Sequence, residues 1–219
     1  MFAGHMGAGL VLGSTARHVN VGIFIAAALL LDFLLWLFVL LGWESVTIPA
    51  DFARHHQAEF VFPYSHGLLS SVVWSAAAAG IALILYSGPG RSRAAALIGV
   101  AVLSHWVLDA VVHRPELPLA GRASPPVGLA LWNDMPVALA VESTLVLVGV
   151  YLFTVGSRSG RYRAIALGML SALAMIFTAI GMTVAPAPPS PIAMAASSLA
   201  TLAGICALAL WLGKAPART

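Results

Sequence analysis

Charge is what this sequence has least of. Only 9% of its 219 residues are Asp, Glu, Lys or Arg, against 60% that are apolar, whereas a soluble domain carries roughly 25% charged residues. Eleven basic and eight acidic side chains cannot cover a water-facing surface of that size, so a soluble globular fold is excluded. The mean hydropathy of +0.95 points the same way. Cysteine is nearly missing too. Cys206 stands alone, which excludes a disulfide framework and a cysteine-rich metal knuckle. A net charge of +3 would suit nucleic acid, but the Lys and Arg residues form no dense stripe, so no nucleic-acid binding is expected. Internal repeats and low-complexity tracts are absent as well. What remains is a membrane protein whose first partner is the lipid bilayer.

What is present is a series of long apolar runs. A membrane helix needs about 20 mostly apolar residues, and six segments reach that length: 19–42, 64–87, 92–112, 130–155, 161–184 and 191–213. Turn chemistry separates them at Ser87-Gly88-Pro89-Gly90, at Gly156 to Gly160 and in the proline-rich stretch from Pro186 to Pro191. A shorter Gly-rich segment, 3–16, precedes them. It lacks a basic n-region, and glycines and His5 interrupt its apolar run, so it reads as a first helix rather than a signal peptide. The expectation is one all-α membrane domain over 1–219. Residues 1–155 carry the polar side chains, and 161–213 form two apolar scaffold helices.

Basic residues orient such a bundle. One side receives Arg17, Arg91, Arg93, Arg158, Arg161, Arg163, Lys214 and Arg218; the other receives only Arg54, Arg114 and Arg122. The richer side is expected to be cytoplasmic, with the N-terminus and the connections 43–63, 113–129 and 185–190 outside.

An ionisable side chain inside hydrocarbon is by default a functional-site hypothesis. Helix 19–42 holds Asp32, helix 64–87 opens with Tyr64-Ser65-His66, helix 92–112 runs into His105, Asp109 and His113, and helix 130–155 holds Glu142 below Trp132-Asn133-Asp134. A step of four residues advances about 40° around a helix axis and about 6 Å along it, so His105, Asp109 and His113 share one face. An imidazole and a carboxylate one turn apart can grip one cation. By the same rise, Asp32 lies about 15 Å below Gly42, in the outer half of its span. His5, Asp32, His66, His105, Asp109 and His113 thus fall in one leaflet, although orientation came from Lys and Arg alone. Such a mixed set suits zinc, as one ion or two, with manganese as the other choice. A centre of that kind brings the pKa of bound water toward about 7. Its depth suits a lipid-borne or membrane-proximal substrate.

The contexts Phe2-Ala3-Gly4-His5, Leu31-Asp32-Phe33, Tyr64-Ser65-His66, Ser104-His105-Trp106-Val107-Leu108-Asp109 and His113-Arg114-Pro115 resemble bacterial inner-membrane proteins identified as metal-dependent hydrolases. The likeness covers roughly residues 1–145. More distantly, the order His, Asp, His, His-x-x-x-Asp is similar to the zinc-dependent phospholipase C and single-strand nuclease superfamily. The resemblance implies one metal held by Asp32, His66, His105 and Asp109, and a second held by His5 and a bridging Asp109. The chain departs from the soluble enzymes in lacking their second downstream His-x-x-x-Asp/Glu pair. The resulting expectation is a hydrolase of ester or phosphoester bonds, with Asp109, Arg114 and Glu142 as catalytic residues and Arg114 steadying an anion.

Other readings stay open at this point. Asp32, Asp109 and Glu142 would also serve a proton- or cation-coupled transporter. His66 and His105 would suit haem, although haem does not need the carboxylates beside them. His105 and Asp109 would also serve as a buried pair that staples two helices. His55 and His56 read as solvated loop residues, and His113 as a possible helix cap.

Overall fold

The apolar runs fold as helices. A computed structural model describes residues 1–16, 18–156 and 161–214; Arg17, Arg158 and Arg218 of the orientation count lie outside the described residues. Helix α1 covers Phe2–Thr15, and α2 (Val21–Ala28) and α3 (Leu30–Leu40) follow, bent against each other by 48°. The connection after α3 forms β1 (Ser45–Thr47), the single turn α4 (Phe52–His55) and β2 (Glu59–Val61), with Val46 opposite Phe60 in an antiparallel pair. Next come α5 (Leu68–Leu85), α6 (Arg91–Val112), a second small antiparallel pair of β3 (Leu117–Pro118) and β4 (Pro126–Val127), and a 3₁₀ turn at Leu131–Asn133. The last three helices are α7 (Met135–Gly156), α8 (Arg161–Thr183) and α9 (Pro191–Leu212).

Helices α5 to α9 are each long and apolar enough to cross a membrane, and the bent pair α2–α3 makes a sixth candidate span. Their outward faces carry apolar side chains such as Leu69, Val73, Ile84, Leu147, Leu173 and Ile176, all exposed. In water that continuous apolar surface would far exceed what a soluble monomer leaves uncovered; in hydrocarbon it is the favourable arrangement. The fold is an all-α bundle of the membrane kind.

Three elements differ from the sequence expectation. Segment 19–42 is broken at Leu29 rather than continuous, although neither proline nor glycine lies there. The cause is tertiary: His105 Nδ1 lies 2.7 Å from the Ala28 carbonyl, and a side chain inserted into the backbone ladder is a recognised source of a kink. Segment 64–87 becomes helical only at Leu68, so His66 sits on the preceding turn. There the Glu44 carboxylate accepts the Tyr64 and Ser65 amides at 2.7 and 2.8 Å. Third, α1 is no peripheral segment. Fourteen residues give about 21 Å of helix, less than the roughly 30 Å of hydrocarbon, and α1 packs inside the bundle against α2, α6, α7 and α8. Its glycines make that possible. A Cβ on Gly7 would fall 2.6 Å from the Leu145 carbonyl oxygen of α7, and one on Gly9 would fall 2.8 Å from Ile25 Cα of α2. Close helix approach through small residues is how membrane helices associate without a hydrophobic driving force.

Candidate metal centre

The kink, the pre-α5 turn and the buried α1 bring together side chains far apart in sequence. Asp32 sits in the first turn of α3, just past the break. His66 arrives from the turn before α5, His105 and Asp109 from one face of α6, and His5 from α1. All except Asp32 are buried, and Asp32 is half-buried.

The hydrogen-bond partners set the ring protons. His105 Nδ1 faces the Ala28 carbonyl, which can only accept, so Nδ1 carries the proton and Nε2 presents a lone pair. Ser65 Oγ donates its one proton to Glu44 Oε2 at 2.6 Å and lies 2.8 Å from His66 Nδ1. Ser65 therefore accepts from His66, and again Nε2 is bare. His113 Nδ1 lies 2.6 Å from the Glu116 carboxylate, so its Nε2 is bare as well. These outer partners orient the rings as second shells orient metal-bound histidines.

The bare atoms converge. His66 Nε2 and His105 Nε2 are 3.1 Å apart. Asp109 Oδ2 lies 3.4 Å from the first and 3.1 Å from the second, and Asp32 Oδ1 lies 3.7 and 3.6 Å from the same two atoms. Asp32, His66 and His105 thus turn three lone-pair atoms to one point, with edges of 3.1, 3.6 and 3.7 Å, and Asp109 Oδ2 borders the His66–His105 edge. Tetrahedral zinc with bonds of about 2.0–2.2 Å would give edges of roughly 3.3–3.6 Å. Without a proton or a cation between them, two imidazole lone pairs at this distance repel each other. Asp32, His66 and His105 could hold a metal.

Asp109 faces a second centre with its other oxygen. Oδ1 lies 3.1 Å from His5 Nε2 and 3.3 Å from the Met1 nitrogen. The His5 ring stacks on His105 at 3.6 Å, and its buried Nδ1 has no partner among the described residues. His5, His105 and Asp109 form the second group that could hold an ion. His113 stands one step further out, 3.9 Å from Asp109 Oδ2, with its ring against Trp132.

Two expected catalytic residues are not among the grouped ligand atoms. Glu142 lines the same cavity, but its Oε2 accepts the Gly4 amide at 3.1 Å. It therefore serves the first turn of α1, where amides lack intrahelical partners. Arg114 is outside the cluster and lines an adjoining vestibule with Arg54, Asp51 and His55. The two helices expected as scaffold also line the cavity, through Phe177, Thr178 and Met182 of α8 and Met194 and Thr201 of α9.

The sequence reading passed over two residues. Glu44 lies in the 43–63 connection, yet it is buried and holds the His66 turn in place. Burial pushes its carboxyl above the ordinary range, against the pull of the Ser65 hydroxyl and of the Ser65 and Tyr64 amides. Its place directly after Trp43, at the end of an apolar run, was the one available signal. His56 read as solvated, whereas it is half-buried and lines both the cavity and the vestibule. Its Nδ1 is buried without a partner among the described residues, and its backbone is left-handed at φ 52°. His55 is exposed beside Asp51, as expected. No family model matches the chain, and neither does a curated protein or a solved structure.

Proposed function

We propose that this chain is a membrane-embedded, metal-dependent hydrolase of ester or phosphoester bonds, with Asp32, His66, His105 and Asp109 as the primary ligands. Zinc is the first choice and manganese the second. His5, with Asp109 as the bridge, takes a second ion, and His113 supports the open side. The observation that carries this reading is the convergence of His66 Nε2, His105 Nε2 and Asp32 Oδ1, with edges of 3.1–3.7 Å, beside the buried Asp109 carboxylate. A divalent ion held there would supply Lewis acidity to the bond being cleaved. The protein's own part is to exclude bulk water, to hold the ring tautomers through Ala28, Ser65 and Glu116, and to steady an anionic group at the vestibule. Arg114 and Arg54 suit that task because guanidinium groups bind phosphate and carboxylate bidentately. Hydrolysis adds hydroxyl to the phosphorus or acyl carbon and a proton to the leaving oxygen.

The reading places the chain in a bacterial inner membrane, with the site and N-terminus facing outward and the C-terminus cytoplasmic, in line with the Lys and Arg asymmetry. Membership of the metal-dependent inner-membrane hydrolases belongs to the same proposal. Metal analysis of detergent-purified protein tests it: zinc or manganese bound at one or two ions per chain, and lost in Asp109→Asn, is the expected result. Folded wild-type protein without metal overturns it.

Cation transport is the second reading, because Asp32, Asp109 and Glu142 all line one cavity. Cation flux into proteoliposomes that disappears in Asp32→Asn would favour it over hydrolysis.

A further inference from the structure

The cavity that holds the cluster has a second half for which metal binding has no use. From Asp32, His66 and Asp109 it extends between α3, α8 and α9 to the proline-rich connection at 185–189, with a volume of about 570 Å³. That size falls among ligand pockets, roughly 300–1,000 Å³. The walls of this half are Leu35 and Trp36, Phe177 and Met182, and Met194 and Leu202. On α9 the lining positions 194, 197, 198, 201 and 202 recur at three- and four-residue steps, so one helical face is turned inward.

Three of the four hydroxyls on these walls, all but that of Ser198, are already engaged. Thr178 donates to the Ala174 carbonyl at 2.9 Å, Ser197 to Met194 at 3.0 Å and Thr201 to Ser197 at 2.9 Å. Their donors are used within their own helices, so the wall is more apolar than its composition implies. Gly181 adds depth, because nothing lies within 4 Å of the place its Cβ would take. The cavity adjoins the Arg54 and Arg114 vestibule, with which it shares His56, Trp132 and Met182.

A basic vestibule, a carboxylate–imidazole cluster and an apolar crevice that adjoin one another match an amphiphile with an anionic head. Resting on the hydrolase reading above, we propose that the substrate is a long-chain lipid ester or phosphoester. One hydrocarbon chain lies in the α3–α8–α9 crevice, the bond to be cleaved lies at the His/Asp cluster, and the head group lies in the vestibule. A small water-soluble ester would leave the apolar half of the cavity without a partner.

Photolabelling of the full chain in phosphatidylcholine vesicles tests this. One arm carries phosphatidylglycerol with a diazirine on an acyl chain, and the other an isoprenyl phosphate with a diazirine on its chain; the arm that labels identifies the lipid class. The expected result is label on Phe177, Met182 or Met194, reduced about tenfold in Gly181→Phe and Ala193→Phe, whose added rings fill the crevice. Metal content in those variants should equal wild type, which also reports an intact fold. Label confined to outward residues such as Leu173 and Ile176 overturns the proposal, as does crevice labelling that neither variant reduces. Crevice labelling in a metal-free wild-type protein overturns the hydrolase reading alone and leaves a lipid site.

Discussion

Glu44 shows how far a single side chain outside the cluster reaches into it. Its carboxylate takes the Ser65 proton, which obliges Ser65 to accept from His66 Nδ1 and leaves His66 Nε2 free for a cation. In Glu44→Gln the amide would donate to Ser65, whose hydroxyl would turn toward Nδ1 and move the His66 proton to Nε2. Loss of an outer partner of this kind costs roughly 10–100-fold in metal affinity, and competition titration with a chelating dye should show that loss in Glu44→Gln with the fold retained. The identities of Asp32, His105 and Asp109 could be read from the sequence, because ionisable residues are rare in apolar runs. Glu44 could not be read the same way, since an acid in a connection looks solvated until the chain folds over it.

At the scale of elements, α1 is the part whose packing decides the site. It carries His5 to Asp109, and it can do so because Gly7 lets its backbone meet that of α7. Gly7→Ala gains up to about 1 kcal/mol of helix propensity, but overpacking costs about 1–3 kcal/mol. With the new Cβ 2.6 Å from a backbone oxygen, the overpacking wins. Thermal unfolding in detergent should therefore fall for Gly7→Ala. Gly80→Ala in α5, where nothing lies within 4 Å, should hold or rise. The α2–α3 break belongs to this scale too. It was invisible in an Ala- and Leu-rich run because its cause, the His105 ring, is 77 residues away.

For the whole molecule, bound metal and membrane embedding make separate predictions. A ligand that binds only the folded state stabilises it by about 2.7 kcal/mol at 100 times its dissociation constant. Chelation should therefore lower the unfolding midpoint of wild type and leave Asp109→Asn, measured in the same detergent, unmoved. Orientation is tested on a Cys206→Ala background, which removes the only cysteine. A cysteine at Gly121 should react with an impermeant maleimide from outside the cell, and one at Ser87 should react only after lysis.

The sequence by itself determined that the chain enters a membrane as helices and which few side chains would be ionisable there. Those properties follow from local transfer free energies and 3.6-residue periodicity, which need no knowledge of neighbours. Tertiary structure alone decided that Asp32, His66 and His105 face one point with Asp109 beside them and against His5, that Arg114 stands outside the cluster, and that α8 and α9 wall a cavity. These depend on ring protons set by Ala28, Ser65 and Glu116 and on close backbone approach between distant segments. The scarcity of charge decides which residues matter, and long-range packing decides what they can do.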